Sequence, residues 1–70
     1  MDFAEKLKKL RDQKGISQLE LSKKIGVSPS SITMYEQGER VPRDSVKIKI
    51  ADYFGVTVES IFFDTGQHIE

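Results

Sequence analysis

The chain has 70 residues, enough for one small core, and it contains no cysteine, which excludes disulfides and thiolate metal sites. Eleven basic and eleven acidic residues give a formal net charge of +0, and no apolar run approaches the ~20 residues that a membrane-spanning helix needs. We therefore expect a single soluble domain, cytoplasmic and without membrane contact, that would gain stability from dimerisation.

The first predicted helix runs from Phe3 to about Lys14. Asp2 and Glu5 form a capping pair at its start, and Gly15 provides its C-terminal stop. Its apolar stripe consists of Phe3, Leu7 and Leu10.

Residues 17–38 predict two short capped helices joined by a tight turn. Ser17 and Glu20 have the spacing of a capping box, and Gly26 ends this helix. Ser28 caps the next helix, and Pro29 occupies its first position. Ile32 and Tyr35 are expected to face inward. The outward residues are then, by elimination, Pro29, Ser30, Thr33, Met34 and Gln37. This pattern is typical of a DNA-binding helix-turn-helix.

The fourth segment is ambiguous, because apolar residues alternate strictly over residues 46–50, as in a strand. We predict a helix, since Val46, Ile50 and Phe54 are spaced by four and no other segment could supply a partner strand. A fifth helix is predicted after Val56 with Thr57 as its cap. Residues 64–70 are predicted to form a short flexible tail.

The spacing within the predicted motif resembles the helix-turn-helix of the phage Cro and repressor family. The residues that carry the resemblance are Leu21, Ser22, Ile25, Gly26, Val27, Ile32 and Tyr35. Flanking segments extend the similarity over residues 1–63, which is more specific than the motif alone. The resemblance implies an all-α, five-helix DNA-binding domain of the lambda-repressor-like type over residues 1–63, with helices 2 and 3 as the helix-turn-helix.

In such a domain, phosphates are met by helix N-termini and polar or basic side chains, whereas sequence is recognised at base edges. The resemblance implies DNA-backbone contacts at Ser17, Gln18, Gln37, Arg40 and Arg43. The alternatives are that Gln18 is a solvated residue of the first turn and that the two arginines are ordinary surface charges.

The resemblance also implies base contacts at Pro29, Ser30, Thr33 and Met34, although Pro29 could serve only to begin the helix and Met34 could instead pack against the edge of the core. The apolar surfaces of Pro29 and Met34 and the Thr33 methyl group can pack on thymine methyl groups, whereas the short hydroxyls discriminate only weakly between bases. We therefore expect a site rich in A·T pairs, with water-bridged contacts and DNA shape contributing to specificity.

The same resemblance implies a structural ion pair between Arg11 near the end of the first helix and Glu36 in the third helix, which is the recognition helix of the motif.

Nothing in the sequence favours catalysis or a metal site. His68, the one histidine, falls in the predicted tail, away from any nucleophile or cluster of metal ligands. We therefore predict no enzymatic activity and no cofactor.

The charges are distributed unevenly along the chain. The first 49 residues contain all eleven Lys and Arg and seven acids, hence +4, and the remaining residues contain four acids and no base, hence −4. One interpretation is that the basic residues form a face that binds phosphates, and the other is that they only solvate helix surfaces.

Aromatic residues near the C-terminus are a candidate dimer interface. They are Phe62 or Phe63, with Tyr53, although these rings could instead complete the core of one subunit.

The sequence therefore predicts a bacterial or prophage transcriptional regulator, a homodimeric repressor that binds a two-fold operator in duplex DNA. A second protein could act as its antagonist. The alternative is a protein-interaction module, antitoxin-like or an anti-regulator, that retains the helix-turn-helix fold. The weakly polar recognition helix and the zero net charge favour that alternative.

Overall fold

The computed structural model describes residues 2–62, and this part of the chain contains five helices and no strand. The helices are α1 (Phe3–Lys14), α2 (Gln18–Ile25), α3 (Pro29–Glu36), α4 (Asp44–Phe54) and α5 (Val58–Phe62). The predicted all-α, five-helix fold is thus confirmed. The candidate interface residue Phe63 and the predicted tail, residues 64–70, lie outside the described residues. Within residues 2–62, no helix has the length and apolar character to cross a membrane.

Side chains cap the helices where the sequence predicts caps. The Ser17 hydroxyl accepts a hydrogen bond from the Glu20 amide at 3.0 Å, and the Glu20 carboxylate accepts one from the Ser17 amide at 3.3 Å. This is the predicted capping box. Thr57 caps α5 by accepting from the Ser60 amide at 3.0 Å. The caps satisfy amides that have no partner inside their own helix, and so they fix where each helix begins.

The turn between α2 and α3 depends on Gly26, whose φ of 82° lies in the left-handed region that favours glycine. Its amide donates to the Ser22 carbonyl at 2.8 Å, which closes α2. Val27 follows, and Ser28 then caps α3. The two helices of the motif are therefore joined as the sequence predicts.

The alternating segment at residues 46–50 is helical, as predicted from its continuation. In a strand, Val46, Ile48 and Ile50 would face the same side. In α4, Ile50 is fully buried, whereas Ile48 is 54% exposed. The spacing of four between Val46, Ile50 and Phe54 therefore decides the structure of this segment, since it places one apolar stripe against the other helices.

Each of the five helices contributes at least one nearly inaccessible aliphatic side chain to a common core. These side chains include Leu7, Leu21, Ile32, Ile50 and Ile61, and all are 2% exposed or less. Ile25 and Tyr35 complete the buried cluster. Ser22 is buried among them, and its hydroxyl donates to the Leu19 carbonyl at 2.6 Å, so that its polar group is satisfied.

Aromatic rings at the two ends of the domain bear on the candidate dimer interface. Phe62 stacks on Phe3, with ring centroids 4.2 Å apart, and Phe3 meets the edge of the Tyr35 ring. Phe62 thus packs against another ring of the same chain, in line with the alternative left open by the sequence. Tyr53 is half-buried in α4, and the Lys14 ammonium lies 5.0 Å from the centre of its ring.

An ion pair joins α1 to α3. Arg11 Nε donates to Glu36 Oε2 at 2.6 Å, and Arg11 Nη2 donates to Glu36 Oε1 at 3.0 Å. The remaining Arg11 nitrogen, Nη1, donates to the Ile16 carbonyl at 2.9 Å. The Arg11 side chain is 13% exposed and that of Glu36 is 4% exposed. The hydrogen bond to Glu36 raises the pKa of Arg11 against the opposing effect of burial, so the guanidinium stays charged.

Two isoleucines test the assignment of the core. Ile32→Ala should lower the free energy of unfolding by about 2–5 kcal/mol, because it leaves a cavity at a fully buried site. Ile48→Ala removes the same atoms from an exposed position in α4 and should change it by less than about 0.5 kcal/mol. Urea unfolding followed by circular dichroism measures both, and equal losses would contradict the packing described above.

Two glutamates test the ion pair. Glu36→Ala leaves the Arg11 guanidinium nearly buried without its carboxylate and should cost about 3 kcal/mol of stability. Glu39→Ala removes an exposed carboxylate three residues away and should cost little. Thermal unfolding of both variants at one pH gives the comparison. Small and similar shifts in Tm would show that the pair does not brace the domain.

Candidate nucleic-acid interface

Helix α3 presents one side to solvent and the other to the core. Ile32 and Tyr35 are buried, whereas Pro29 and Ser30 are exposed at its first turn. The predicted base-contacting residues Thr33 and Met34 are half-buried, and Gln37 at its C-cap is exposed. The outer face of α3 therefore combines short hydroxyl groups with apolar surface, and it has no charged side chain before Glu36.

Three serine hydroxyls cluster at the N-terminus of α3. Ser28 Oγ accepts from the Ser31 amide at 3.2 Å and lies 2.9 Å from Ser31 Oγ and 3.1 Å from Ser30 Oγ. Hydroxyl groups both donate and accept, so this cluster can rearrange its hydrogen bonds to suit a polar partner.

Gln18, a predicted phosphate contact, is the first residue of α2 and reaches across to α3. Its Nε2 donates to Glu36 Oε1 at 3.0 Å, and its Oε1 accepts from the Thr33 hydroxyl at 2.8 Å. These two hydrogen bonds were not predicted from the sequence. They depend on how closely α2 and α3 approach, which the periodicity of either helix alone does not specify. One Nε2 hydrogen of Gln18 remains for a partner outside the protein.

The N-terminus of α2 lies beside these side chains. The capping box of Ser17 and Glu20 uses two of the first amides, and no residue between 2 and 62 accepts from the amides of Gln18 and Leu19. These amides point along the positive end of the helix dipole, an arrangement that favours an anion. Ser17 itself is exposed.

Arg40 and Arg43 lie in the segment that follows α3. Both are exposed, and neither forms an ion pair with any residue in the described part of the chain. Pro42 between them is buried, which anchors the segment against the domain. Both arginines line a cleft that also contains Ser28 and Ser31, so two cationic side chains lie close to the first turn of α3.

Together these residues form a surface centred on α3, bordered by backbone amides and polar or cationic side chains from two further segments. The α2 amides and Gln18 lie on one part of it, and the two arginines lie near the first turn of α3. Across residues 2–62, no three His, Cys, Asp or Glu side chains form a group that could hold a metal ion.

Comparison with known sequences places the chain in a family. Residues 7–61 match the profile described as "Helix-turn-helix". The chain is 42% identical over 57 residues to an uncharacterized HTH-type transcriptional regulator of Methanocaldococcus jannaschii, a match that covers 81% of this chain and 86% of that protein. It is 28% identical over 68 residues to the cryptic phage CTXphi transcriptional repressor RstR of Vibrio cholerae, which covers 97% of this chain and 61% of the repressor.

Solved structures show the same fold. The phage P22 c2 repressor, determined in complex with a synthetic operator, superposes with a TM-score of 0.87 at 21% identity and covers 90% of this chain and 96% of that one. The LexA SOS-response repressor of Eubacterium rectale gives a TM-score of 0.86 at 31% identity, with 97% and 72% covered. The chain therefore belongs to the helix-turn-helix family of the phage Cro and repressor type, a family of DNA-binding transcriptional regulators.

Proposed function

We propose that this protein is a homodimeric repressor that binds a two-fold operator with α3 in the major groove. The observation that carries the proposal is the exposed outer face of α3, bordered by the exposed arginines Arg40 and Arg43. An α-helix fits the major groove of B-form DNA, and cations beside it neutralise phosphates. The DNA-binding domain is assigned to residues 1–63, and the site of action to the cytoplasm.

Phosphate contacts would hold α3 in place. The first amides of α2 and the remaining Nε2 hydrogen of Gln18 suit one phosphate group. Gln37 at the end of α3 and the two arginines suit others. These contacts carry no sequence information themselves, but they determine which α3 side chains meet which base pairs.

Base contacts would come from the outer face of α3. Pro29 and Met34 offer apolar surface to thymine methyl groups, and Ser30 offers a hydroxyl that can donate or accept. None of these side chains can form the bidentate contacts by which Arg recognises guanine or Gln recognises adenine. We therefore expect contacted steps rich in A·T pairs, with DNA shape supplying further discrimination.

A two-fold operator requires two copies of α3 about one helical turn, ~34 Å, apart. The Vibrio cholerae relative is named a transcriptional repressor, which supports repression rather than activation as the function proposed here. Tyr53 and Phe63 remain the candidate interface, whereas the stacking of Phe62 on Phe3 favours a structural role for that ring. Release from the operator by a protein antagonist would need no ligand-binding site in this domain.

Selection of binding sites from a random duplex pool tests the proposal. The native protein should enrich a two-fold site rich in A·T pairs, and the double variant Ser30→Ala, Met34→Ala should lose or alter that site. Ile48→Ala in α4 is the control and should select the native site, because Ile48 lies outside the proposed interface. No enrichment by a folded native protein would favour a protein-interaction module, and a single half-site would contradict the homodimer.

The salt dependence of affinity tests the arginines. Arg40→Ala or Arg43→Ala should reduce the log–log slope of affinity against salt by about 0.9 for each phosphate that the variant no longer neutralises, which means one phosphate for each subunit of a dimer. Lys9→Ala is the matched control, because Lys9 is exposed and lines a cleft between α1 and α5, outside the proposed interface. An equal change in slope for Lys9→Ala would show that the arginines act only through net charge.

A further inference from the structure

We propose that Thr33 faces DNA as a hydrogen-bond acceptor only, because Gln18 and Glu36 keep its hydroxyl proton inside the protein. Gln18 is then a positioning residue for base recognition as well as a phosphate contact. This inference rests on the proposed function and adds to it the kind of base that Thr33 accepts.

The orientation of the Gln18 amide is set by Glu36. An ionised carboxylate only accepts hydrogen bonds, and Glu36 is almost fully buried while it accepts from Arg11. The side of the Gln18 amide that meets Glu36 at 3.0 Å must therefore be its NH₂ group. The reversed amide would place two oxygens against each other with no proton between them. The Gln18 carbonyl oxygen consequently faces Thr33.

The Thr33 hydroxyl has a single proton and two acceptors within the protein. Gln18 Oε1 lies 2.8 Å from Thr33 Oγ1, and the Pro29 carbonyl oxygen lies 3.3 Å from it. Neither oxygen can donate, so the proton must lie toward one of them. The hydroxyl therefore offers only lone pairs to the solvent side of α3, together with the Thr33 methyl group.

An acceptor in the major groove selects bases that carry an exocyclic amino group. These are adenine, through N6, and cytosine, through N4, whereas guanine and thymine present acceptor oxygens at the equivalent edge. A threonine with a freely rotating hydroxyl could pair with either kind of base. We expect Thr33 to favour adenine or cytosine on the strand that it contacts.

Paired variants and base analogues test this inference. The contacted position is the base pair of the selected site at which Thr33→Val changes the preference. Replacing its adenine with purine, or its cytosine with 2-pyrimidinone, removes the amino group. This replacement should weaken binding of the native protein and of Thr33→Ser by about fivefold per half-site. It should not affect Thr33→Val, which keeps the shape of threonine but lacks the hydroxyl.

Gln18→Leu tests the positioning role separately. Without the Gln18 oxygen, the Thr33 hydroxyl is free to turn toward DNA, so guanine or thymine should become acceptable at the contacted position. Overall affinity should also fall, because leucine cannot donate a hydrogen bond to a phosphate. Gln37→Ala is the control: it should lower affinity without changing that base preference, since the Gln37 side chain forms no hydrogen bond with the Thr33 hydroxyl within the described residues.

Three results would overturn the inference while leaving the proposed function intact. They are a native preference for guanine or thymine at the contacted position, an equal effect of the analogue on the native protein and Thr33→Val, and the absence of any position that responds to Thr33→Val. An unchanged preference in folded Gln18→Leu would remove the role of Gln18. Failure of the folded native protein to bind duplex DNA would overturn both proposals.

Discussion

The carboxylate of Glu36 is the group on which the arrangement of the first three helices depends. It lies at the end of α3, is 4% exposed, and accepts hydrogen bonds from Arg11 in α1 and Gln18 in α2. A buried carboxylate is tolerated only where donors satisfy its oxygens, so both helices must approach it at hydrogen-bonding distance. These directional bonds therefore fix the rotation of α3 about its own axis, together with the burial of Ile32 and Tyr35 in the core.

The limits of the helices could be predicted because their signals are local. Ser17 with Glu20, and Thr57 with Ser60, fix helix starts through contacts three residues apart. The burial of Ala4 could not be predicted from such local signals. An added Cβ at Gly38 would lie 3.9 Å from that of Ala4, so the contact depends on two segments that are distant in sequence.

In the candidate site, too, features set by one helix could be predicted, whereas contacts between helices could not. The exposure of Ser30 follows from the burial of Ile32, because residues two positions apart lie on nearly opposite faces of a helix. Pro29 is exposed as the first residue of α3. The contacts of the Gln18 amide could not be predicted, since they depend on the distance between two helices. The stacking of Phe62 on Phe3 joins α5 to the start of α1. The sequence alone left two alternatives for Phe62, a dimer interface or the core of its own chain.

The outer face of α3 also has a consequence for how such proteins diverge. Ser30 and Met34 take no part in the buried cluster, and none of the bonds that hold Glu36 involves them. In the proposed complex with DNA, mutations at these positions would therefore change DNA preference at little cost to folding. After gene duplication, two copies of this domain in one cell could acquire separate operators through one or two substitutions. Cross-talk between the duplicated regulators would then disappear without any change to the rest of the protein.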